Sequence, residues 1–316
     1  MNGFIANTDL DWHRLLLARQ RVGLLTDEVN FWKPSESATF KAVRPGEPLL
    51  FRLKSPVSAV GGFGLFERFS TLPSWLAWET FREGNGVPSQ AALEQRILAI
   101  RARNGMEATR DPRIGCILLA GATFFEPHEY VALPENWPLN AVSGKTYDLA
   151  VGQGARVWAE VLDRVQLRGA PLAANTVPTC EKYGAGVLVR PRLGQAGFRI
   201  AVLEAYDRAC AITTEHSLPV LEAAHIRPYA DDAGVHDVTN GLLLRSDIHK
   251  LFDRGYVTVT PDFRFRVSDA LREDYANGKT YFALQDRPIV LPSDPRLIPS
   301  RDALAWHGEV TFRRSA

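Results

Sequence analysis

The chain has 316 residues, and its 37 lysine and arginine residues nearly balance 36 aspartate and glutamate residues, for a formal net charge of +1. A hydrophobic content of 46% and a charged content of 23% are ordinary for a globular protein, and no apolar run approaches membrane-spanning length. The length suffices for two domains with separate cores. The charge balance excludes a uniformly basic surface, so contacts with a polyanion would have to be concentrated on one face.

The cysteines Cys116, Cys180 and Cys210 are widely spaced and form no CxxC pair. This excludes a disulfide framework and a structural zinc site built from cysteine alone. The N-terminus also lacks the basic-then-apolar layout of a signal peptide. We therefore expect a cytoplasmic protein.

The first 167 residues predict strands interspersed with helices. The predicted strands are 3–5, 48–54, 59–70, 114–125 and 129–133, and the predicted helices are 11–21, 72–84, 90–105 and 154–165. Thr8 or Asp9 suits the start of the first helix and Ser89 the start of the third. The glycines of 59–70 predict a bulge or a close backbone approach. This order favours a small mixed α/β barrel within an α+β protein.

Residues 168–189 are rich in glycine, proline and small residues, and they predict a linker between domains 1–167 and 190–316. Three arginines follow directly: Arg190, Arg192 and Arg199. We predict that they contact the DNA backbone if the second domain binds DNA, although such a cluster can also be a solvated face.

The second domain contains an ordered set of polar residues at His225, Asn240 and His249. Residues 221–228 predict a strand that ends at Arg227, before a proline. Asn240 and the glycine after it predict a tight turn into a second strand or a helix.

The residues that follow predict a helix over 248–255. Asp247 suits its N-cap, and Gly255 suits its C-terminal stop. Beyond this helix, residues 257–268 alternate in polarity and predict a hairpin.

These residue types suit phosphodiester hydrolysis, which needs a base to activate water and a metal ion to neutralise charge. A neutral imidazole at His225 suits the base. On the helix, His249 and Asp253 are four residues apart and share one face, so they could bind one cation. Asn240 could orient the imidazole, which we favour, or bind the metal. The simpler alternative is that the histidines are core or surface residues and that Asn240 only forms a turn.

The pattern LEAAHIRPY followed by NGLLLRSDIHKLFDRG resembles the HNH nucleases of the ββα-metal fold, in the branch found in bacterial restriction-type endonucleases. The segment 190–213 is similar to the lead-in of that branch, and the resemblance extends to residue 269. It implies these roles: general base for His225, central asparagine for Asn240, metal ligand for His249, and a further ligand for Asp253.

The pattern departs from many HNH proteins at Ala224, where an aspartate or histidine metal ligand commonly precedes the base. Asp253, or less directly Glu222 or Asp247, could supply the missing ligand. Oxygen ligands with one imidazole suit Mg²⁺, Mn²⁺ or Ni²⁺, and Zn²⁺ could also bind.

The unit PGEPLLFRLKSPVSAVGGFGLFERFSTLP is similar to a segment of PUA-superfamily domains, the EVE, ASCH, SRA and YTH relatives. The resemblance implies a reader domain that takes a flipped, modified base into an aromatic pocket. The candidates for that pocket are Phe31, Trp32, Phe63, Phe66, Trp75, Trp78 and Asn85. Lys33 and Lys54 are candidates for phosphate contacts. The spacing of Trp75 and Trp78 also fits a core-facing helix stripe.

The function predicted from the sequence is restriction of foreign double-stranded DNA that carries a modified base, expected to be a modified cytosine. One nuclease site per chain favours a homodimer for cutting both strands. One alternative is a non-catalytic DNA-binding protein that keeps the HNH scaffold, as Ala224 would suggest. Another is a defence nuclease that RNA or a small ligand activates through the first domain.

Overall fold

The computed structural model describes residues 1–36, 39–107, 109, 111–138, 140–167, 194–228 and 236–313. The chain divides into two compact units, Met1–Pro191 and Arg192–Ala316. The predicted linker 168–189 lies outside the described residues.

The first unit contains a mixed seven-stranded sheet. Its strands are β1 (Asn2–Thr8), β2 (Glu28–Lys33), β3 (Pro48–Leu53), β4 (Ala59–Pro73), β5 (Arg113–Phe124), β6 (Val131–Ala132) and β7 (Gly144–Asp148). The order is β2-β5-β4-β3-β1-β7, and β6 also pairs with β4. Only the β1–β3 pair is parallel within these strands. The mixed α/β character is confirmed, and closure of the sheet into a barrel remains a prediction.

The long strand β4 shows the irregularity that its glycines predicted. Its register with β5 shifts between Phe63 and Leu65 and again between Phe66 and Arg68. Strand β7 was not predicted, because only Tyr147 of its five residues is buried and the segment has no alternation of polarity.

In the described part of this unit, the α-helices are α1 (Leu10–Arg21), α2 (Ser74–Phe81), α3 (Gln90–Arg103) and α4 (Gly152–Leu167). The Asp9 carboxylate accepts hydrogen bonds from the first-turn amides of α1, and the Ser89 hydroxyl does the same for α3. Both predicted helix starts are thus confirmed. Among the described apolar side chains of this unit, one cluster forms around Trp12 and Phe51 and another around Phe63 and Trp158.

The second unit contains short elements. They are α5 (Gln195–Ala205), β8 (Leu221–His225), β9 (Gly241–Arg245), α6 (Ser246–Asp253), β10 (Val257–Val259), β11 (Phe265–Val267), α7 (Ala270–Tyr275), α8 (Lys279–Phe282) and α9 (Arg301–Trp306). Strands β8 and β9 pair antiparallel, and so do β10 and β11, which form the predicted hairpin. Among the described helices of both units, none combines the length and apolarity needed to cross a bilayer.

The C-terminal segment packs against α6 through His307, which is only 2% exposed. Its ring stacks on Phe252 with centroids 3.7 Å apart. Nε2 lies 3.1 Å from the Phe252 carbonyl, which can only accept, so Nε2 carries the proton. Nδ1 therefore accepts from the Thr258 hydroxyl at 2.8 Å. Burial lowers the pKa of His307 to about 4, so the ring is neutral at neutral pH.

We expect acidification to destabilise this unit through His307. The unfolded chain takes up a proton near pH 6.5 and the folded ring only near pH 4, so stability is lost as the pH falls through this window. Between pH 7 and pH 5 the loss is about 2 kcal/mol. Urea unfolding of wild type and His307→Gln at both pH values measures it. The variant should lose about 2 kcal/mol less than wild type, and an equal loss in both proteins would contradict the assignment.

Candidate active site

Strands β8 and β9 and helix α6 form a strand–strand–helix element. His225 ends β8 and pairs with Gly241 at the start of β9. Helix α6 begins directly after β9 and carries His249 and Asp253. The element is anchored by apolar side chains that are fully buried: Ala224, Leu242, Leu243, Leu244 and Ile248. The sequence therefore places its polar residues at the edges of a small, rigid core.

The turn into β9 lies slightly earlier than predicted. A short 3₁₀ turn, Val238–Asn240, leads directly into the strand, and Gly241 itself is extended, with φ −128°. The glycine is needed for close packing rather than for the turn. A Cβ at Gly241 would lie 2.5 Å from Val202 Cγ2 and 3.0 Å from Phe198 Cζ. Helix α5 thus packs directly on the backbone at the start of β9, which leaves no room for a side chain.

The start of α6 also differs from the prediction. The helix begins at Ser246, and Asp247 lies within its first turn rather than at the N-cap. The Asp247 carboxylate accepts two hydrogen bonds from the Arg245 guanidinium, at 2.7 and 2.8 Å, and one from the Tyr281 hydroxyl at 3.0 Å. The bonds from Arg245 contribute most to lowering the pKa of Asp247 to about 2. Both oxygens of the Asp247 carboxylate are therefore occupied by hydrogen bonds within the fold. Gly255, with φ +74°, lies just beyond the end of the helix, as predicted.

Asn240 orients backbone rather than the imidazole of His225. Its side-chain oxygen accepts from the Arg227 amide at 2.9 Å, and its side-chain nitrogen donates to the Arg227 carbonyl at 3.0 Å. Its own carbonyl accepts from the Ile226 amide at 2.9 Å. Asn240 is 4% exposed, and these bonds fix the two residues that follow His225. The side-chain amide of Asn240 therefore holds the backbone that follows His225.

His225 is held on two sides. Its ring stacks on Phe198 of α5, with centroids 3.9 Å apart and planes 11° from parallel. Its Nε2 lies 3.0 Å from Nδ1 of His236. Burial, with smaller effects from the charges of His236 and His249, lowers the pKa of His225 to about 4. The imidazole is therefore neutral at neutral pH, the form that can accept a proton.

His249 lies between two carboxylates. Its Nδ1 is 2.7 Å from Glu222 Oε2, and its Nε2 is 3.4 Å from Asp253 Oδ2. A carboxylate on the far nitrogen of a metal-binding histidine commonly fixes the ring and raises its basicity. Glu222 takes this position, which leaves Nε2 and the Asp253 carboxylate next to each other. Both ring nitrogens thus have a defined partner.

This donor set fits a divalent cation with two protein ligands. The separation of 3.4 Å between Nε2 and Oδ2 is close to that of two ligands that share one ion. Ala224 is fully buried and adds no ligand. Within the described residues no group of three histidine, cysteine, aspartate or glutamate side chains is arranged around a metal position. An ion held by His249 and Asp253 would complete its shell with water or substrate oxygens.

The predicted DNA-contacting arginines are placed only in part. Arg199 lies on α5 with a half-buried side chain, one residue after Phe198. Arg190 and Arg192 lie outside the described residues. Arg313, a further arginine near the C-terminus, donates to the Arg254 carbonyl and the Tyr256 hydroxyl.

A second candidate site lies in the first unit, where a cavity of about 400 Å³ is lined by Phe31 and Trp32. The indole nitrogen of Trp32 donates to the Asn85 carbonyl at 3.0 Å, which fixes the plane of its half-buried ring. Lys33 and the exposed Lys54 also line this cavity. The structure thus brings together four of the residues that the sequence singled out.

The other pocket candidates lie away from this cavity. Phe63 is 2% exposed and packs edge-to-face on Trp158, while Phe66 packs on Phe40. Trp75 and Trp78 are half-buried on α2 and do not line the cavity.

Asn85 is fully buried and serves the cavity only indirectly. Its side-chain nitrogen donates to the carbonyls of Ala77 and Arg82, and its side-chain oxygen accepts from Asn30 at 2.9 Å. The side-chain amide of Asn85 is therefore occupied by hydrogen bonds within the protein. Asn85 therefore acts on the cavity through its backbone carbonyl, which holds Trp32.

Sequence reasoning assigned no role to Phe198 or His236 and treated Glu222 only as an alternative ligand. Glu222 precedes His225 by three residues, so strand alternation places it on the opposite face of β8, toward α6. Strand alternation is therefore a sequence signal from which the position of Glu222, facing α6, could have been predicted. Phe198 and His236 are distant in sequence, and only tertiary packing brings them to His225.

We expect Glu222→Ala to weaken the binding of Mn²⁺ about 10- to 100-fold, because His249 would lose the carboxylate that fixes its ring. Isothermal titration of the full-length, metal-free protein measures this affinity without any cutting assay. Glu273→Ala, at an exposed glutamate of the same unit, is the matched control and should bind as wild type does. Unchanged affinity in Glu222→Ala would contradict the orienting role, and no binding by wild type would contradict the metal site.

Comparison with known proteins adds a family match to this geometry. Residues 210–260 match the HNH_2 family, described as HNH endonuclease. No curated protein matches the chain. The solved structures that are similar to this chain at low level include the following two. One is a mutant form of the ZmASCH protein from Zymomonas mobilis, with 11% identity over 50% of this chain and 97% of that one and a TM-score of 0.34. The other is the modification-dependent TagI restriction endonuclease, with 14% identity over 90% of this chain and 75% of that one and a TM-score of 0.30.

At such TM-scores neither structural similarity carries weight for fold or function. The family match, in contrast, covers β8, β9 and α6 together with His225, Asn240, His249 and Asp253. It coincides with the strand–strand–helix element on which the candidate active site is built. The chain therefore carries an HNH endonuclease domain in residues 210–260.

Proposed function

We propose that this protein is a metal-dependent DNA endonuclease that cuts DNA carrying a modified base, with modified cytosine as the expected mark. The observation that carries the specificity is the cavity of about 400 Å³ in the first unit, in a chain that also contains an HNH endonuclease domain. Its volume is within the range of small-molecule sites. Restriction of foreign DNA is the activity that combines these two parts.

The cavity wall suits a flipped base. The ring of Trp32 is half-buried, and its indole N–H is already satisfied by the Asn85 carbonyl, so the ring can stack without losing a hydrogen bond. The neighbouring Phe31 packs edge-to-face on Trp12, with centroids 5.4 Å apart. A fixed aromatic surface costs little conformational entropy on binding. Stacking on it offsets the few kcal/mol that extrusion of a base costs.

The charges at the cavity suit a nucleotide phosphate. The Lys33 ammonium lies 5.3 Å from the centre of the Phe40 ring, and partial burial lowers the pKa of Lys33. Lys54 is exposed at the same cavity. The third cation, Arg96, is paired with the Asp9 carboxylate that caps α1. Two lysines thus remain to contact the backbone of an extruded nucleotide.

In the HNH domain we assign the general base to His225. The neutral ring takes a proton from water, and the resulting hydroxide attacks the phosphorus atom in line. The bond from phosphorus to the 3′ oxygen breaks as that oxygen leaves and takes up a proton from solvent. Asn240 keeps the chain after His225 in place, and Glu222 fixes the ring of His249. His249 Nε2 and the Asp253 carboxylate would hold the divalent ion, which supplies charge stabilisation at the phosphate. Mg²⁺, Mn²⁺ and Ni²⁺ suit these ligands. With one such site in the described part of the chain, cutting both strands requires either a dimer or two successive encounters with DNA, and we propose a homodimer.

We expect cutting of a plasmid that carries 5-methylcytosine or 5-hydroxymethylcytosine and little cutting of the matched unmodified plasmid. Phosphorothioate-modified DNA is included to test for a backbone mark. Trp32→Ala should reduce cutting of the modified plasmid roughly 5- to 100-fold, as expected for the loss of one base-stacking contact. The measurement is the rate of plasmid linearisation with Mg²⁺, Mn²⁺ or Ni²⁺ in turn.

Trp75→Ala is the matched control, since this tryptophan is also half-buried but bonds to Asp111 outside the cavity. It should cut the modified plasmid as wild type does. Equal cutting of all plasmids by wild type would contradict modification dependence and leave the nuclease assignment intact. Equal loss in both variants would contradict the assignment of the pocket.

A second candidate function is DNA binding without catalysis, because the position before His225 is the buried Ala224. A scaffold of this kind would bind DNA but hold no divalent ion at His249 and Asp253. Binding of Mn²⁺ that is lost in His249→Ala would exclude it.

A further inference from the structure

We propose that His236 is a positioning residue that sets the tautomer of His225, so that Nδ1 of His225 is the atom that accepts the proton from water. The observation is the contact of 3.0 Å between Nε2 of His225 and Nδ1 of His236. This inference rests on the assignment of His225 as the base. It concerns a residue outside both the ligand set and the roles that the HNH resemblance implies.

The contact leaves one nitrogen of His225 for chemistry. Nε2 is engaged by His236, and Nδ1 makes no hydrogen bond to any described residue. A base must present an unprotonated nitrogen, and a neutral imidazole carries its single proton on the other one. The proton of His225 therefore resides on Nε2 and is donated to Nδ1 of His236. In the opposite arrangement Nδ1 of His225 would carry the proton and could not act as a base.

Both rings have to be neutral for this arrangement, and their surroundings favour it. Burial lowers the pKa of His225 and that of His236. Phe198 stacks on the face of His225 and prevents the ring from tilting out of line with its partner. The two imidazole planes are 58° apart, with centroids separated by 5.0 Å, so the contact is an edge hydrogen bond rather than a stack.

The backbone after His236 is itself fixed. The Asp237 carboxylate accepts from the amide and the hydroxyl of Thr239, at 2.8 and 2.7 Å. The Asn240 amide donates to the Asp237 carbonyl at 2.9 Å. This short turn connects His236 to Asn240, which in turn holds the backbone after His225. This turn therefore orients the imidazole of His225 through His236 and the backbone that follows His225 through Asn240.

The test reads the tautomer directly. In the full-length protein labelled with ¹⁵N-histidine, long-range proton–nitrogen correlation distinguishes a protonated Nε2 from a protonated Nδ1, and His225→Gln identifies the signals of His225. We expect a protonated Nε2 in wild type and a mixture of tautomers in His236→Ala. His236→Asn places an amide oxygen near the former Nδ1 and should restore the wild-type tautomer.

Single-turnover cutting provides the second readout. His236→Ala should cut roughly tenfold or more slowly with unchanged DNA affinity, because part of the enzyme holds the wrong tautomer. His236→Asn should recover most of that rate.

The outcomes separate this inference from the proposed function. A protonated Nδ1 on His225 in wild type would overturn it, and so would a tautomer and a cutting rate that His236→Ala leaves unchanged. If wild type cuts no DNA, the proposed function fails, while the nitrogen signals still decide the tautomer. If wild type cuts and only the His236 variants behave as wild type, the inference fails alone.

Discussion

The candidate active site depends on the packing of helix α5 against strands β8 and β9. At one point this contact excludes a side chain, since a Cβ at Gly241 would lie 2.5 Å from Val202. One helical turn away along α5, the ring of Phe198 covers the face of His225. Without α5 the β8–β9 pair would be a two-stranded ribbon, which is marginally stable alone in water. The helix therefore both stabilises the element and fixes the imidazole on it.

Much of this element could be predicted from the sequence, because the signals are local. The spacing of His249 and Asp253 defines one helix face, and Gly255 marks the helix end. The misassignments have a common cause. Asp247 suits a cap, but the neighbouring Arg245 and the distant Tyr281 bind its carboxylate instead. The pair Asn240-Gly241 suits a turn, but tertiary packing gives each residue a separate role. Local propensity cannot predict the side-chain partners that tertiary packing supplies.

In the first unit, too, the sequence alone did not determine which of the candidate residues line the pocket. Seven aromatic or polar residues were candidates for a pocket, and composition alone cannot tell which face of a sheet each one takes. Phe31 and Trp32 lie near the end of β2, a strand at one end of the sheet order that stays paired with β5 up to Lys33, and both residues line the cavity. Phe63 lies within β4 and is enclosed by the second core cluster. Asn85 contributes through its backbone carbonyl, a role that no side-chain pattern reveals.

The central claim is that His225 activates water at an HNH site. The most direct test is single-turnover DNA cutting by His225→Ala at saturating divalent metal, with DNA binding measured in parallel. His216→Ala, at an exposed histidine of the same unit, is the control. We expect His225→Ala to lose about 10²- to 10⁴-fold in rate, the usual contribution of a general base, with DNA binding retained. An undiminished rate in His225→Ala would contradict the account.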